Sequence, residues 1–157
     1  MIVGIGTDLC DVRRIEAALQ RHGLRFVERI LGPQERVVWA QRSGRCAQRG
    51  LRYLATRFAA KEAFSKAIGL GLRAPMRWRD CEILHQPSGQ PAVVLHGALQ
   101  RWCAERGWHA QVSVSDDGDW ASACVIVEAR NAPARAPLAS SADTATPMPD
   151  EGEVRRR

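Results

Sequence analysis

Aromatic residues are scarce in this 157-residue chain: three phenylalanines, one tyrosine and five tryptophans, 6% in all. Trp78, Trp102, Trp108 and Trp120 are not spaced as a stacking ladder, the arginines are scattered, and no recognised nucleic-acid motif accompanies them. These tryptophans read as core or interface residues instead. No apolar run approaches the ~20 residues of a membrane span, and no basic-plus-apolar leader precedes the first strand. The five cysteines, Cys10, Cys46, Cys81, Cys103 and Cys124, contain no C-x-x-C pair, which argues against zinc. Their odd number, without a secretory leader, fits reduced thiols in the cytoplasm. Cys124, inside a strand pattern, reads as a small buried hydrophobe. Gly4-x-Gly6 lacks the third glycine of a dinucleotide fingerprint, since position 9 is leucine, and no Gly-Lys-Ser/Thr follows, which excludes a P-loop.

Charge is present and unevenly placed. The chain has 23 Lys+Arg against 17 Asp+Glu, a net charge of +6. Residues 1–60 hold eleven arginines and five acidic residues, whereas residues 61–130 and the tail beyond are each neutral. All of the excess therefore lies in the first sixty residues. Asp11 is placed to cap a helix from Val12 to His22, with Gly23 as its stop. Val12, Ile15 and Leu19 form its apolar stripe. Arg14 and Arg21, seven apart, share a face, and Arg25 extends that row only if the helix survives Gly23. Such a surface suits an acidic partner, which complementary charge steers in; a merely solvated basic face is the ordinary reading.

The remaining pattern predicts one α+β domain over residues 1–130, an antiparallel sheet packed against helices. Met1–Asp8 reads as a short buried strand whose glycines, Gly4 and Gly6, imply close approach of another backbone or a ligand. Asp8 lies at its end, where a strand gives way to a helix. Pro33 opens a helix over Gln34–Gln41, and Arg42–Gly50 reads as a polar loop. Cys81–His85 and Ala92–His96 form a hairpin around Pro87-Ser88-Gly89. Ala98–Arg106 is a helix with Ala98, Leu99, Trp102 and Cys103 inward, stopped at Gly107. Two strands close the fold. Asn131–Arg157, rich in Ala, Pro, Ser and acidic residues, lacks the apolar surface to offset its ordering entropy and is expected to be a disordered tail.

Residues 57–71, Arg-Phe-Ala-Ala-Lys-Glu-Ala-Phe-Ser-Lys-Ala-Ile-Gly-Leu-Gly, carry the most information. As a helix they place Ala60, Ala63, Phe64 and Ala67 on one face and Glu62, Ser65 and Lys66 on the other. A carboxylate and an ammonium one turn apart suit a metal ion and a phosphate. They are also the best surface ion pair on any helix, worth a few tenths of a kcal/mol, just as Asp8 alone is an ordinary turn aspartate.

The two segments together decide between these readings. Gly-Ile-Gly-Thr-Asp-Leu-Cys-Asp-Val-Arg-Arg-Ile-Glu at the start and Arg-Phe-Ala-Ala-Lys-Glu-Ala-Phe-Ser-Lys-Ala in the middle resemble the small type of 4′-phosphopantetheinyl transferase, the holo-acyl-carrier-protein synthases. Arg25–Leu31, Gly89-Gln90-Pro91, Val112–Asp116 and Ala123–Glu128 continue the likeness, which covers residues 1–129. The resemblance implies transfer of the 4′-phosphopantetheine arm of coenzyme A to a serine of an apo acyl carrier protein in fatty acid biosynthesis, releasing adenosine 3′,5′-bisphosphate. It further implies Mg2+ held by Asp8 and Glu62, and Lys66 facing the phosphates. Mg2+ takes one or two carboxylates plus substrate oxygens, so that donor set is chemically adequate. Glu62, directly or through a metal-bound water, is the candidate base for the serine proton. Arg14, Arg21 and Arg25 are the candidate carrier-binding residues. The family likeness also implies a homotrimer with sites between chains, where Ser113 and Ser115 would face a neighbour's coenzyme A. Two positions depart from the family pattern: Gly69-Leu70-Gly71 replaces Gly-Thr-Gly, and Asp116 stands where histidine is common. The alternative is a non-catalytic basic module binding nucleic acid or an acidic protein.

Overall fold

The computed structural model describes residues 1–130; the tail expected over 131–157 lies outside them. Five strands, β1 (Ile2–Asp11), β2 (Cys81–His85), β3 (Pro91–Leu95), β4 (Trp108–Asp117) and β5 (Trp120–Ala129), form one sheet in the order β1-β5-β4-β3-β2. Every pairing is antiparallel. The helices are α1 (Val12–His22), α2 (Leu24–Ile30), α3 (Pro33–Arg45), α4 (Ala47–Ala67) and α5 (Gly97–Ala104). The expected α+β class and single antiparallel sheet are observed.

α4 is the spine. Its 21 residues lie across β1 and β5, and 14 of them, from Gly50 to Ala67, are buried. Two glycines make that contact possible. A Cβ on Gly4 would run into the carbonyl oxygen of Ala67, and one on Gly6 into that of Ala63. The close approach anticipated from Gly4 and Gly6 is thus backbone against backbone. Ala59, Ala60, Ala63 and Ala67 supply the matching small surface on the helix.

Several expectations need correction. The first strand is neither short nor buried. It runs to Asp11 and is an edge strand, so only the face against α4 is covered, and Ile5 and Leu9 on the other face are each 62% exposed. Asp8 lies mid-strand opposite Ala123, because pairing with β5 continues through Asp11–Trp120. The anticipated loop over Arg42–Gly50 is almost wholly helical: α3 continues to Arg45, and only Cys46 separates it from α4. Arginine and glutamine are good helix formers. Gly50 is needed at the crossing, since a Cβ there would strike Ser43. Ser65 is buried, its hydroxyl donating to the Glu62 carbonyl oxygen at 2.8 Å. Ala98 is exposed, and so is Cys124, whose side chain shares the uncovered sheet face. Trp78, Trp102 and Trp108 pack against the core as expected, but Trp120 is largely exposed.

A buried polar cluster ties α3, α4 and β2 together. Lys61 Nζ donates to Glu35 Oε2 and to the Ile30 carbonyl, each at 2.5 Å, and both charged side chains are fully buried. Glu35 also accepts from the Gly32 and Ile83 amides. Glu82 Oε1 accepts from the Gln34 and Glu35 amides at the start of α3, satisfying donors that a helix N-terminus leaves free. Glu82 Oε2 meets His96 Nε2 at 2.9 Å.

Candidate active site

The side chains of β1 alternate. Gly4, Gly6, Asp8 and Cys10 face α4, while Val3, Ile5, Thr7 and Leu9 face away. Because the two glycines seat α4 directly on the strand, residues near its C-terminal end reach the strand's own polar groups. Lys66 Nζ donates to Asp8 Oδ1 at 2.8 Å and to the Thr7 carbonyl at 2.9 Å. The two residues are 58 apart in the chain. Lys66 is thus not the surface partner of Glu62, as the ordinary reading of the helix would have it.

Glu62 is held from another direction. The Trp78 indole N–H, in a short 3-10 turn before β2, donates to Glu62 Oε1 at 2.6 Å. Glu62 and Asp8 both lie within electrostatic range of Cys10. Burial first, then the Asp8 carboxylate, pushes the Cys10 thiol up to about 11, and Glu62 adds to the push while Arg14 opposes it. One side chain therefore feels both carboxylates and the Arg14 guanidinium. Asp8 and Lys66 are in contact, and Glu62 stands one turn before Lys66 on α4, so two carboxylates and one ammonium belong to the junction of this strand and helix. That donor set suits a small hard cation shared with phosphate oxygens.

After α4 the chain turns at Gly69 and Gly71, both at positive φ (73° and 58°), with the Leu70 and Gly71 amides donating to the Ser65 carbonyl oxygen. Leucine at position 70 leaves the left-handed geometry in place, since only the flanking glycines adopt it.

The remaining candidates fall elsewhere. Arg14 and Arg21 are exposed on α1. Arg25 does not join their row, because α1 ends at Gly23 (φ 58°) and Arg25 belongs to α2. Ser113 and Ser115 stand opposite Cys124 and Ser122 on the sheet face away from α4, so within one chain they do not approach Asp8 or Lys66.

A second basic feature was not anticipated. A cavity of about 650 Å3 between α3, α4, β2 and β4 is lined by Arg42, Arg45, Arg49, Arg52, Arg57 and His85, among others. Arg57 is buried, with Nε on the Ile83 carbonyl at 3.1 Å. Burial and then the Arg57 and Arg42 charges push the His85 imidazole below its ordinary value, and Arg57 Nη2 lies 3.2 Å from its Nδ1. Asp116 reaches this rim, 3.5 Å from Arg52 Nη1. Arg42, Arg45, Arg49 and Arg52 recur at three- to four-residue intervals across the α3–α4 junction, a spacing that reading the junction as helical would have brought out.

The family model describing the 4′-phosphopantetheinyl transferase superfamily matches residues 4–125. The chain belongs to that superfamily. The holo-[acyl-carrier-protein] synthase of Acidovorax sp. (strain JS42) is 61% identical over 128 residues, which cover 82% of this chain and 98% of that protein. The synthase of Herminiimonas arsenicoxydans is 59% identical over the same length. Among solved structures, the Neisseria meningitidis synthase superposes with a TM-score of 0.75 at 40% identity, covering 82% of this chain and 99% of that one. The Bacillus anthracis synthase, crystallised with CoA (3′,5′-ADP), gives 0.68 at 34% identity, covering 83% and 99%. This phosphopantetheinyl transferase thus shares both sequence and fold with those synthases over its described residues.

Proposed function

We propose that the chain is the synthase that transfers the 4′-phosphopantetheine group of coenzyme A to a serine of an apo acyl carrier protein. The observation that carries this reading is the Asp8–Lys66 contact, one helical turn from Glu62 on α4, on a fold shared with the named synthases. The enzyme reading displaces the alternative of a non-catalytic basic module.

Asp8 and Glu62 would hold Mg2+. Bound there, the ion would neutralise pyrophosphate charge and orient the leaving group. Lys66 supplies a compact positive charge for the oxygens on which negative charge accumulates. The serine oxygen attacks the phosphorus that bears the pantetheine arm. The P–O bond to the nucleotide breaks, and adenosine 3′,5′-bisphosphate leaves. Glu62 takes the serine proton, directly or through one water. The arginine-lined cavity beside α4 suits the remaining phosphate of coenzyme A.

The carrier, an acidic protein, is read as docking against Arg14 and Arg21 on α1, with Arg25 at the edge. We further assign the protein to the cytoplasm, working in fatty acid biosynthesis, and to a homotrimer. The uncovered apolar sheet face supports the trimer, and it would bring Ser113 and Ser115 to a neighbour's coenzyme A. Among the described residues no helix is long and apolar enough to cross a membrane.

The test is direct. Incubation with coenzyme A, Mg2+ and apo carrier should shift the carrier's intact mass by one phosphopantetheine group, and EDTA should abolish the shift. A carrier mass that stays unchanged with Mg2+ present would overturn the reading.

A further inference from the structure

We infer that Trp78 is a positioning residue for Glu62: its indole N–H fixes one carboxylate oxygen so that the other is presented to the cation. This rests on the reading of Glu62 as a metal ligand. The bond is short, 2.6 Å from Nε1 to Oε1, as expected for a donor meeting an ionised acceptor. Among the described residues the Glu62 carboxylate takes no other hydrogen bond.

The ring that delivers this N–H is itself packed by two side chains. Phe58 packs against it at 5.4 Å between centroids, tilted by 55°. The Arg29 guanidinium lies 5.5 Å from its centroid. Phe58 and Glu62 are four residues apart on α4, so they share a helix face. Trp78 therefore reads one face of the helix twice, with its ring on Phe58 and its N–H on Glu62. The contact is not forced by a general need to satisfy buried indoles, because the buried Trp39 Nε1 has no partner among the described residues. A carboxylate ligand otherwise free to rotate must lose that freedom when the cation binds. Trp78 removes it beforehand, as hydrogen-bond partners of metal ligands generally do, and their loss typically costs about 10- to 100-fold in metal affinity.

The experiment measures Mn2+ binding, read from loss of the free-ion electron paramagnetic resonance signal, with saturating coenzyme A. Four chains are compared: wild type, Trp78→Phe, Glu62→Gln and the double variant. Trp78→Phe keeps an aromatic ring against Phe58 and deletes the donor. It should weaken Mn2+ binding about tenfold when Glu62 is intact and change it less than about twofold in the Glu62→Gln background, because the partner it organises is gone. The Mg2+ concentration for half-maximal transfer should rise in parallel, with most of the maximal rate recovered at saturation. Replacement of Trp78 by 3-benzothienylalanine, which exchanges only the N–H for sulfur within the same bicycle, should reproduce the effect and guards against misfolding of the phenylalanine variant. Unchanged Mn2+ affinity in both donor-deleted chains, or an equal loss with and without Glu62→Gln, overturns the positioning role and leaves Trp78 as packing. Wild-type affinity in Glu62→Gln alone would instead overturn the ligand reading, and the positioning role with it.

Discussion

The chain has two lysines, Lys61 and Lys66, and every other permanently basic side chain is an arginine. The structure puts the two to opposite uses. Lys61 is sealed in the core against Glu35, whereas Lys66 is half exposed and spans from α4 to Asp8. A compact ammonium suits both places, since it fits a small buried space and serves phosphate as a point charge. Asp8→Ala and Glu62→Ala should each lower transfer by at least about 100-fold, the scale of losing one preorganised electrostatic contact, with the melting transition retained. Near-normal transfer of the arm, read by carrier mass, would remove that residue from the mechanism. Lys66→Ala should slow transfer by about 100-fold as well. It should move the Mg2+ concentration for half-maximal rate far less than Asp8→Ala does. An unchanged rate would reduce Lys66 to a structural partner of Asp8.

At the scale of elements, the site depends on how closely α4 lies on β1. Gly6→Ala would drive a methyl group into the Ala63 carbonyl and the Ala67 amide. Backbone cannot yield as a side chain does, so the change should cost about 3 kcal/mol in urea unfolding, at the upper end of ordinary overpacking, and separate Lys66 from Asp8. The α3–α4–β2 junction offers a second test. Burial pushes the Glu35 carboxyl above its ordinary value, opposed chiefly by Lys61 and the Ile83 amide. Lys61→Met removes the larger part of that opposition and leaves a buried carboxylate with its two amide donors but no counter-ion, costing about 3–5 kcal/mol at pH 7.5. The native state of this variant binds the Glu35 proton more tightly than the unfolded chain does. Its stability therefore falls as pH rises through the window above the ordinary carboxyl value, and the loss should be smaller at pH 5. An equal loss at both pH values would mean that Glu35 does not titrate in that window. These elements also show what the sequence could carry. The close approach at Gly4 and Gly6 and the small face of α4 were legible, because period is a local property, whereas Asp8 and Lys66, 58 residues apart, were paired only by the family likeness. Glu35–Lys61 and Trp78–Glu62 were not legible, since each partner lies 16 or more residues away and no local period encodes the meeting. The misread loop at 42–50 hid the arginine spacing for a related reason: Gly44, Cys46 and Gly50 look like breakers until α3 and α4 are seen to cross at Gly50.

Across the whole molecule, eight of the eleven arginines of the first sixty residues lie on α1 or line the cavity beside α4. The two regions serve different ligands under the proposed activity. Arg14→Glu should raise the KM for carrier about tenfold while changing the maximal rate less, and added salt should weaken the wild type toward the variant. The apolar exposure is also sided. Val3, Ile5 and Leu9, at 41%, 62% and 62% exposure, lie on the face of β1 turned away from α4, continuous with Cys124, Ser113 and Ser115 across β5 and β4. Monomers seldom leave so contiguous an apolar face in water, and an edge strand invites a neighbour. Leu9→Glu places a charge in the middle of that face without touching the α4 side, where Asp8 and Lys66 meet. It should convert a trimer into monomers in sedimentation equilibrium and make melting independent of protein concentration. If Ser113 and Ser115 act on a neighbour's coenzyme A, transfer should fall at least about tenfold, because separation strips each site of its second wall. A Leu9→Glu chain that remains trimeric would show that this face is not the interface. One that is monomeric with full activity would show that a single chain holds the whole site, and that the two serines serve only the strand.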